Sequence, residues 1–283
     1  MKITIAKDAG YCFGVRDAVN MAYDASEKFG GVYMLGDIVH NENVIDDLSN
    51  AGATVVSKLD DIPNNKPILF RAHGTDKDVW KEAKSKDMNI IDATCPLVHE
   101  IHDEVRRLYK ENRQIIVIGD HGHDEVVAIA NQVPKTIVIA NVEEAKKIKK
   151  YKKAGVVSQS TQMIENVQEI ISILMTKVFD LNFVNTICYP TKRNHEQIKE
   201  LSNKSDLMII IGSFTSANSM RLTELSKQRN KNTHQVMCAD DLKIKWFNKV
   251  NSVGISAGAS TPDYLIEGVA NRIKKIAKER EIK

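Results

Sequence analysis

The four cysteines stand at 12, 95, 188 and 238, and no two of them form a CxxC pair. Charge of one sign is also lacking: 40 Lys and Arg against 37 Asp and Glu leave +3, too weak a field to imply nucleic acid. The longest apolar run, near Leu207–Ile211, falls far short of the roughly 20 residues of a membrane span, so no membrane partner is expected. The start, Met1-Lys-Ile-Thr-Ile-Ala-Lys-Asp8, has no apolar h-region, so no secretory signal and a cytoplasmic location are expected. There, cysteines are expected as thiols or metal ligands rather than disulfides. No Gly-rich dinucleotide or flavin fingerprint is present, and no Pro- or Ser-rich linker divides the chain. What remains is ordinary: 283 residues, 42% hydrophobic and 27% charged, enough for a sizeable core and near the size at which cores divide.

What is there repeats. Cys12 follows Ile3-Thr-Ile5, Cys95 follows Asn89-Ile-Ile-Asp-Ala-Thr94, and Cys188 follows Phe183-Val-Asn-Thr-Ile187. Helical spacing then begins within a few residues, over Val15–Ala25, Val98–Leu108 and His195–Leu201. A second strand closed by glycine comes next: Val32–Gly36, Ile115–Gly119 and Leu207–Gly212. Each glycine stands 24 residues after its cysteine. Four residues further are His40, His123 and Ser216; six further are Glu42, Glu125 and Asn218. A looser third strand reads at Pro67–Gly74, Gly155–Thr161 and Val253–Ser260. Alternating β and α predicts an α/β fold with mainly parallel sheets. The expected organisation is three units, 1–94 carrying Cys12, 95–187 carrying Cys95 and 188–283 carrying Cys188, around a pseudo-threefold axis. Ligands of such sheets bind beyond the carboxyl ends of the strands, where these loops lie.

The loop Gly119-Asp-His-Gly-His-Asp-Glu125 packs two imidazoles and three carboxylates into seven positions. Three equivalent cysteines suit a three-point metal site with one position left open, and thiolates also hold iron–sulfur clusters. Cys238, outside the repeat, is expected to be structural, as is Glu42. His40, His73, His123, Ser216, Asn218 and Ser260 form a donor set without Lys or Arg, suited to an anion beside a negatively charged cluster. Glycines nearby let backbone N–H groups approach a phosphate. Glu125 is the expected proton carrier. His99, His102, His195 and His234 are expected at the surface, and the Lys146–Lys153 run as a solvated helix or loop.

Several motifs together resemble the 4-hydroxy-3-methylbut-2-enyl diphosphate reductase family. They are Ala9-Gly-Tyr-Cys-Phe-Gly-Val15, Gly36-Asp-Ile-Val-His-Asn41, Arg71-Ala-His-Gly74, Asp92-Ala-Thr-Cys-Pro-Leu-Val98, Gly122-His-Asp-Glu-Val126, Gln159-Ser-Thr161 and Ala257-Gly-Ala-Ser-Thr-Pro262. They run in order over about residues 9 to 268. The resemblance implies a trefoil of three α/β domains around one 4Fe-4S cluster, with Cys12, Cys95 and Cys188 as ligands and the fourth iron open to substrate. It implies reductive removal of the substrate's allylic hydroxyl, giving isopentenyl and dimethylallyl diphosphate, the last step of the methylerythritol phosphate route. It implies diphosphate binding by His40, His73, His123, Ser216, Asn218 and Ser260. Glu125 is implied as proton donor, and Thr161 as a hydroxyl that orients substrate and relays the proton. Electrons would come from an external donor of ferredoxin or flavodoxin type.

Three places depart from the family pattern. Ser216-Ala-Asn218 stands where Ser-Ser-Asn is usual, Asp124 replaces a proline, and Pro190-Thr-Lys-Arg-Asn-His195 replaces Ala-Thr-x-x-Arg-Gln. Among rival readings, a zinc hydrolase or deaminase would use His123-Asp-Glu125 as H-x-E, but that class needs a downstream P-C-x-x-C, which is absent. A simple cluster carrier needs neither an open iron nor an anion pocket, and usually has four thiolates.

Overall fold

The structure, a computed structural model, describes residues 1–281. Its strands are β1 (Lys2–Ile5), β2 (Val32–Leu35), β3 (Ala53–Val56), β4 (Ile68–Phe70), β5 (Ile90–Asp92), β6 (Gln114–Ile118), β7 (Ile137–Ile139), β8 (Tyr151–Ser158), β9 (Val178–Phe183), β10 (Leu207–Ile211), β11 (Thr233–Val236) and β12 (Ser252–Ala257). Its α-helices are α1 (Phe13–Phe29), α2 (Glu42–Asn50), α3 (Lys77–Ser85), α4 (Pro96–Lys110), α5 (Asp124–Ala130), α6 (Val142–Lys147), α7 (Ile164–Leu174), α8 (Tyr189–Lys204), α9 (Ala217–Lys227) and α10 (Asp263–Glu281). Among the described residues no helix is long and apolar enough to cross a membrane.

The fold is α/β, with three four-stranded sheets in the orders β1-β12-β10-β11, β3-β2-β4-β5 and β7-β6-β8-β9. Every pairing is parallel. One layout is used three times. The glycine-closed strand and the third strand lie at the centre, flanked by a short edge strand (β3, β7, β11) and by the strand that leads to a cysteine (β5, β9, β1). The short edge strands were not read from the sequence. Central strands such as β10 are buried along their whole length; parallel sheets covered on both faces favour such continuous apolar runs over alternation.

The chain forms two compact units. The first comprises, among the described residues, 1–16, 39–47 and 189–281 and holds the sheet of β1, β10, β11 and β12. The second comprises residues 17–38 and 48–188 and holds the other two sheets. Because β1 pairs with β12, through Lys2 with Ser252 to Ile5 with Ile255, sheet membership does not coincide with the chain segments 1–94, 95–187 and 188–283.

In the first unit, α10 turns Ile266, Val269, Ala270, Ile273 and Ile276 onto a core that includes Leu207, Ile209, Phe247 and Ile255. That spacing is the stripe of an amphipathic helix. Truncating one such buried isoleucine to alanine costs roughly 2–5 kcal/mol, so the stripe holds the helix in place. In the second unit, Ile116, Ile118 and Val156 pack beneath Val167, Ile170 and Leu174 of α7. The Lys146–Lys153 run divides between the end of α6 and the start of β8, which begins at Tyr151 rather than near Gly155.

Candidate functional site

Each of the three cysteines immediately precedes the first residue of a helix: Cys12 before α1, Cys95 before α4 and Cys188 before α8. Pro96 opens α4, a position where its missing N–H leaves no helical bond unmade. The positive end of a helix dipole favours negative charge at such junctions. The backbone N–H of Cys12 donates to Ala259 O at 3.3 Å, that of Cys95 to Ala72 O at 3.0 Å, and that of Cys188 to Ser160 O at 3.0 Å. Ala259, Ala72 and Ser160 directly precede Ser260, His73 and Thr161. One amide thus ties each cysteine to the loop that carries a site residue. All four cysteines lie outside disulfides and are half-buried.

In the second unit, β6 and β8 are neighbours, with Ile118 opposite Ser158, so the loops after them meet. Glu125, only 3% exposed, sits in the first turn of α5. Ser160 holds both its carboxylate oxygens. The backbone N–H donates to Oε1 at 2.6 Å and the hydroxyl donates to Oε2 at 2.8 Å. Thr161 follows, half-buried. Ser160, a residue that spacing alone did not single out, thus puts a hydroxyl on the carboxylate.

His123 caps α5, its Nδ1 accepting from the Glu125 N–H at 3.2 Å. An accepting Nδ1 places the proton of a neutral ring on Nε2, which is then a donor. The His73 and His123 rings meet edge to face, 5.7 Å between centroids. Asp124, at the position where the family pattern has proline, pairs with Arg71 at 2.5 Å.

In the first unit, Ser260 donates through Oγ to His40 O at 3.1 Å, and Asn41 Nδ2 donates to Ser260 O at 2.8 Å. These bonds fasten the short segment 39–47 to the loop after β12. Glu42 holds it from the other side, accepting from Ser213 Oγ at 2.9 Å and Thr215 Oγ1 at 3.2 Å. Ser216 caps α9, its hydroxyl accepting from Ser219 N at 3.3 Å. Asn218 is buried, and its Nδ2 has no hydrogen-bond partner. An orphaned buried donor costs free energy unless something accepts from it. Gly258 is required here, since a Cβ would run into Ser219 Oγ. Cys238 caps a short 3₁₀ turn, its N–H donating to Asp241 at 3.2 Å.

Two expectations about histidine are corrected. His102 and His195 are buried, not superficial. Each stands seven residues after its cysteine, on the inner face of α4 and α8, where the first repeat has the buried Val19. Burial, with Arg106 and His99 adding to it, pushes the His102 pKa down to about 4. His102 Cε1 would lie 2.9 Å from a Cβ at Gly74, whose φ of +85° also favours glycine. His99 is exposed and bonds Asp92 at 3.0 Å. His234 is half-buried and stacks on Trp246, 3.9 Å between centroids.

Residues 3–274 match the family model described as LytB protein. The 4-hydroxy-3-methylbut-2-enyl diphosphate reductase of Geotalea uraniireducens is 37% identical over 281 residues, covering 99% of each chain. That of Thermoanaerobacter pseudethanolicus is 37% identical over 279 residues, covering 97% of each. A solved (E)-4-hydroxy-3-methyl-but-2-enyl diphosphate reductase, described as the terminal enzyme of the non-mevalonate pathway, is 36% identical with a TM-score of 0.73. It covers 97% of this chain and 100% of its own. The E-1-hydroxy-2-methyl-but-2-enyl-4-diphosphate reductase of Plasmodium falciparum is 30% identical, covers 95% and 87%, and has a TM-score of 0.92.

Proposed function

The chain belongs to the LytB family, and on that premise we propose that it reductively dehydroxylates 4-hydroxy-3-methylbut-2-enyl diphosphate to isopentenyl and dimethylallyl diphosphate. The observation that carries this reading is the amide tie made three times between a half-buried cysteine and a site loop. The donor set fits an iron–sulfur cluster: three thiols at equivalent strand–helix junctions, each without a disulfide, suit a 4Fe-4S group with one iron left for substrate. When bound, that group supplies two electrons, one at a time, and a Lewis-acidic iron.

The remaining work falls to the chain's own side chains. His40, His73, His123, Ser216, Asn218 and Ser260 bind the diphosphate as hydrogen-bond donors. The Asn218 amide offers it an N–H that nothing else accepts. Glu125, almost closed to solvent, delivers the proton that lets the allylic oxygen leave as water. Its route is the Thr161 hydroxyl, joined by that of Ser160, which touches Oε2. For Oε2 to hold the proton, that hydroxyl turns from donor to acceptor, while the Ser160 N–H keeps Oε1 in place. Thr161, next on the loop, orients the substrate. Two electrons and two protons replace the C–O bond by C–H and release one water. The electrons come from an external carrier of ferredoxin or flavodoxin type, in the cytoplasm.

The test is anaerobic purification with measurement of iron, sulfide, zinc and the visible spectrum, followed by turnover with the hydroxylated diphosphate. A brown protein with about four irons that forms both isomers is expected. A colourless, zinc-loaded protein would overturn the reading.

A further inference from the structure

Phe13 follows Cys12 and Tyr189 follows Cys188 in the chain, and their rings are stacked, 5.7 Å between centroids and 10° between planes. Tyr189 is 53% exposed. Single exposed rings are common on protein surfaces; what sets this one apart is that it is stacked on a second ring and that each of the two adjoins a cysteine. Beside the stack lies a cavity of about 400 Å³ whose lining includes Cys12 and Asn218. Its rim carries Lys7, Arg16 and Arg193 against Asp8 and Asp263. Both carboxylates are engaged, Asp8 by Arg193 at 2.7 Å and Asp263 by Arg16 at 3.3 Å. Lys7 is exposed, so the outward charge of the rim is cationic.

We propose that the Phe13–Tyr189 stack and its cationic rim are the docking surface for the acidic protein that delivers electrons. The inference rests on the reductase reading. Each ring is covalently next to a cysteine assigned to the cluster, so a carrier seated here stands one residue from two of its ligands. Electron transfer falls steeply with distance, which favours this face. An apolar aromatic centre with a charged rim is also the usual anatomy of a transient interface, and the rim's sign draws an acidic carrier in. At each encounter the carrier is oxidised by one electron and the enzyme reduced by one. Two encounters supply the two electrons that one dehydroxylation consumes.

The test uses holoenzyme and two reductant systems, dithionite with methyl viologen and a reduced acidic carrier (plant-type ferredoxin and flavodoxin, each tried). In Tyr189→Ala, carrier-driven turnover falls about tenfold, the size of an interface anchor. Viologen-driven turnover and the visible spectrum stay unchanged. Tyr189→Phe, which keeps the stack, restores the carrier-driven rate. Lys7→Glu raises the KM for the carrier at low salt, and the effect fades as salt is added. Phe179→Ala, at a ring 89% exposed elsewhere, changes neither rate. Equal loss with both reductants in Tyr189→Ala, or no loss with the carrier, overturns the docking surface. So does wild-type enzyme driven by viologen and by neither carrier. Wild-type protein without cluster or turnover overturns the functional reading itself and the docking surface with it.

Discussion

Glu125 and Glu42 occupy the same place in two copies of one loop, each six residues past the glycine that closes a strand. Their surroundings differ. Glu125 is buried, with Ser160 bonded to both oxygens. Glu42 is exposed and accepts from Ser213 and Thr215, which fastens a loop. The repeat supplies two carboxylates at equivalent positions; the neighbours bury one against Ser160, as the proposed proton carrier needs, and make the other a clasp. Sequence equivalence therefore locates candidates, and local packing assigns their chemistry.

The sharpest way to break that distinction is to neutralise both. Glu125→Gln is expected to lower turnover roughly 10²–10⁴-fold, the span of general acid catalysis, while the visible spectrum and substrate binding persist. Glu42→Gln should cost about 0.5–1.5 kcal/mol of stability and leave turnover near wild type. Equal kinetic losses in the two would erase the difference.

The next contrast compares the inner faces of the post-cysteine helices, Val19 in one repeat and His102 in another. The folded-state pKa of His102 lies near 4, below the ordinary 6.5. Its contribution is therefore fully present above about pH 6.5 and is lost as pH falls towards about 4. Over that window the loss is on the order of 3 kcal/mol. His102→Val, copying the first repeat, should flatten the acid limb of a denaturation-midpoint profile between about pH 6.5 and about pH 4. An unchanged limb would mean that other groups drive the acid loss.

Smaller effects refine the contrast. Ser160→Ala removes the hydroxyl bond to a buried carboxylate, worth about 1.5–3 kcal/mol, so kcat should fall roughly 10–100-fold. Ser213→Ala, at the clasp, should leave kcat alone. Ala217→Ser supplies the hydroxyl that the third copy lacks. It is expected to lower the substrate KM roughly two- to tenfold, the worth of one neutral hydrogen bond; an unchanged KM would mean that no such bond forms there.

Much of this was legible along the chain because it depends on local order. Strand, cysteine, helix and glycine-closed strand recur at a fixed offset, and all three copies fold as α/β with parallel strands. Ser160 was not legible, because a loop of three polar residues gives no sign of which hydroxyl turns inward. Nor was the burial of His102 and His195, since a histidine on a helix of mixed polarity reads as solvated until the facing loop is known. At Gly74 the missing Cβ makes the room.

The amino-acid sequence by itself determined the periodicity, the cysteine positions and the family, because these rest on residue types at set intervals. Only the tertiary structure decided that β1 joins the sheet of β12, nearly the whole chain away, that Ser160 holds Glu125, and that Tyr189 stacks on Phe13. Those pairings join residues far apart in the chain. Their free energy comes from contacts and hydrogen bonds that exist only once the strands have found their neighbours.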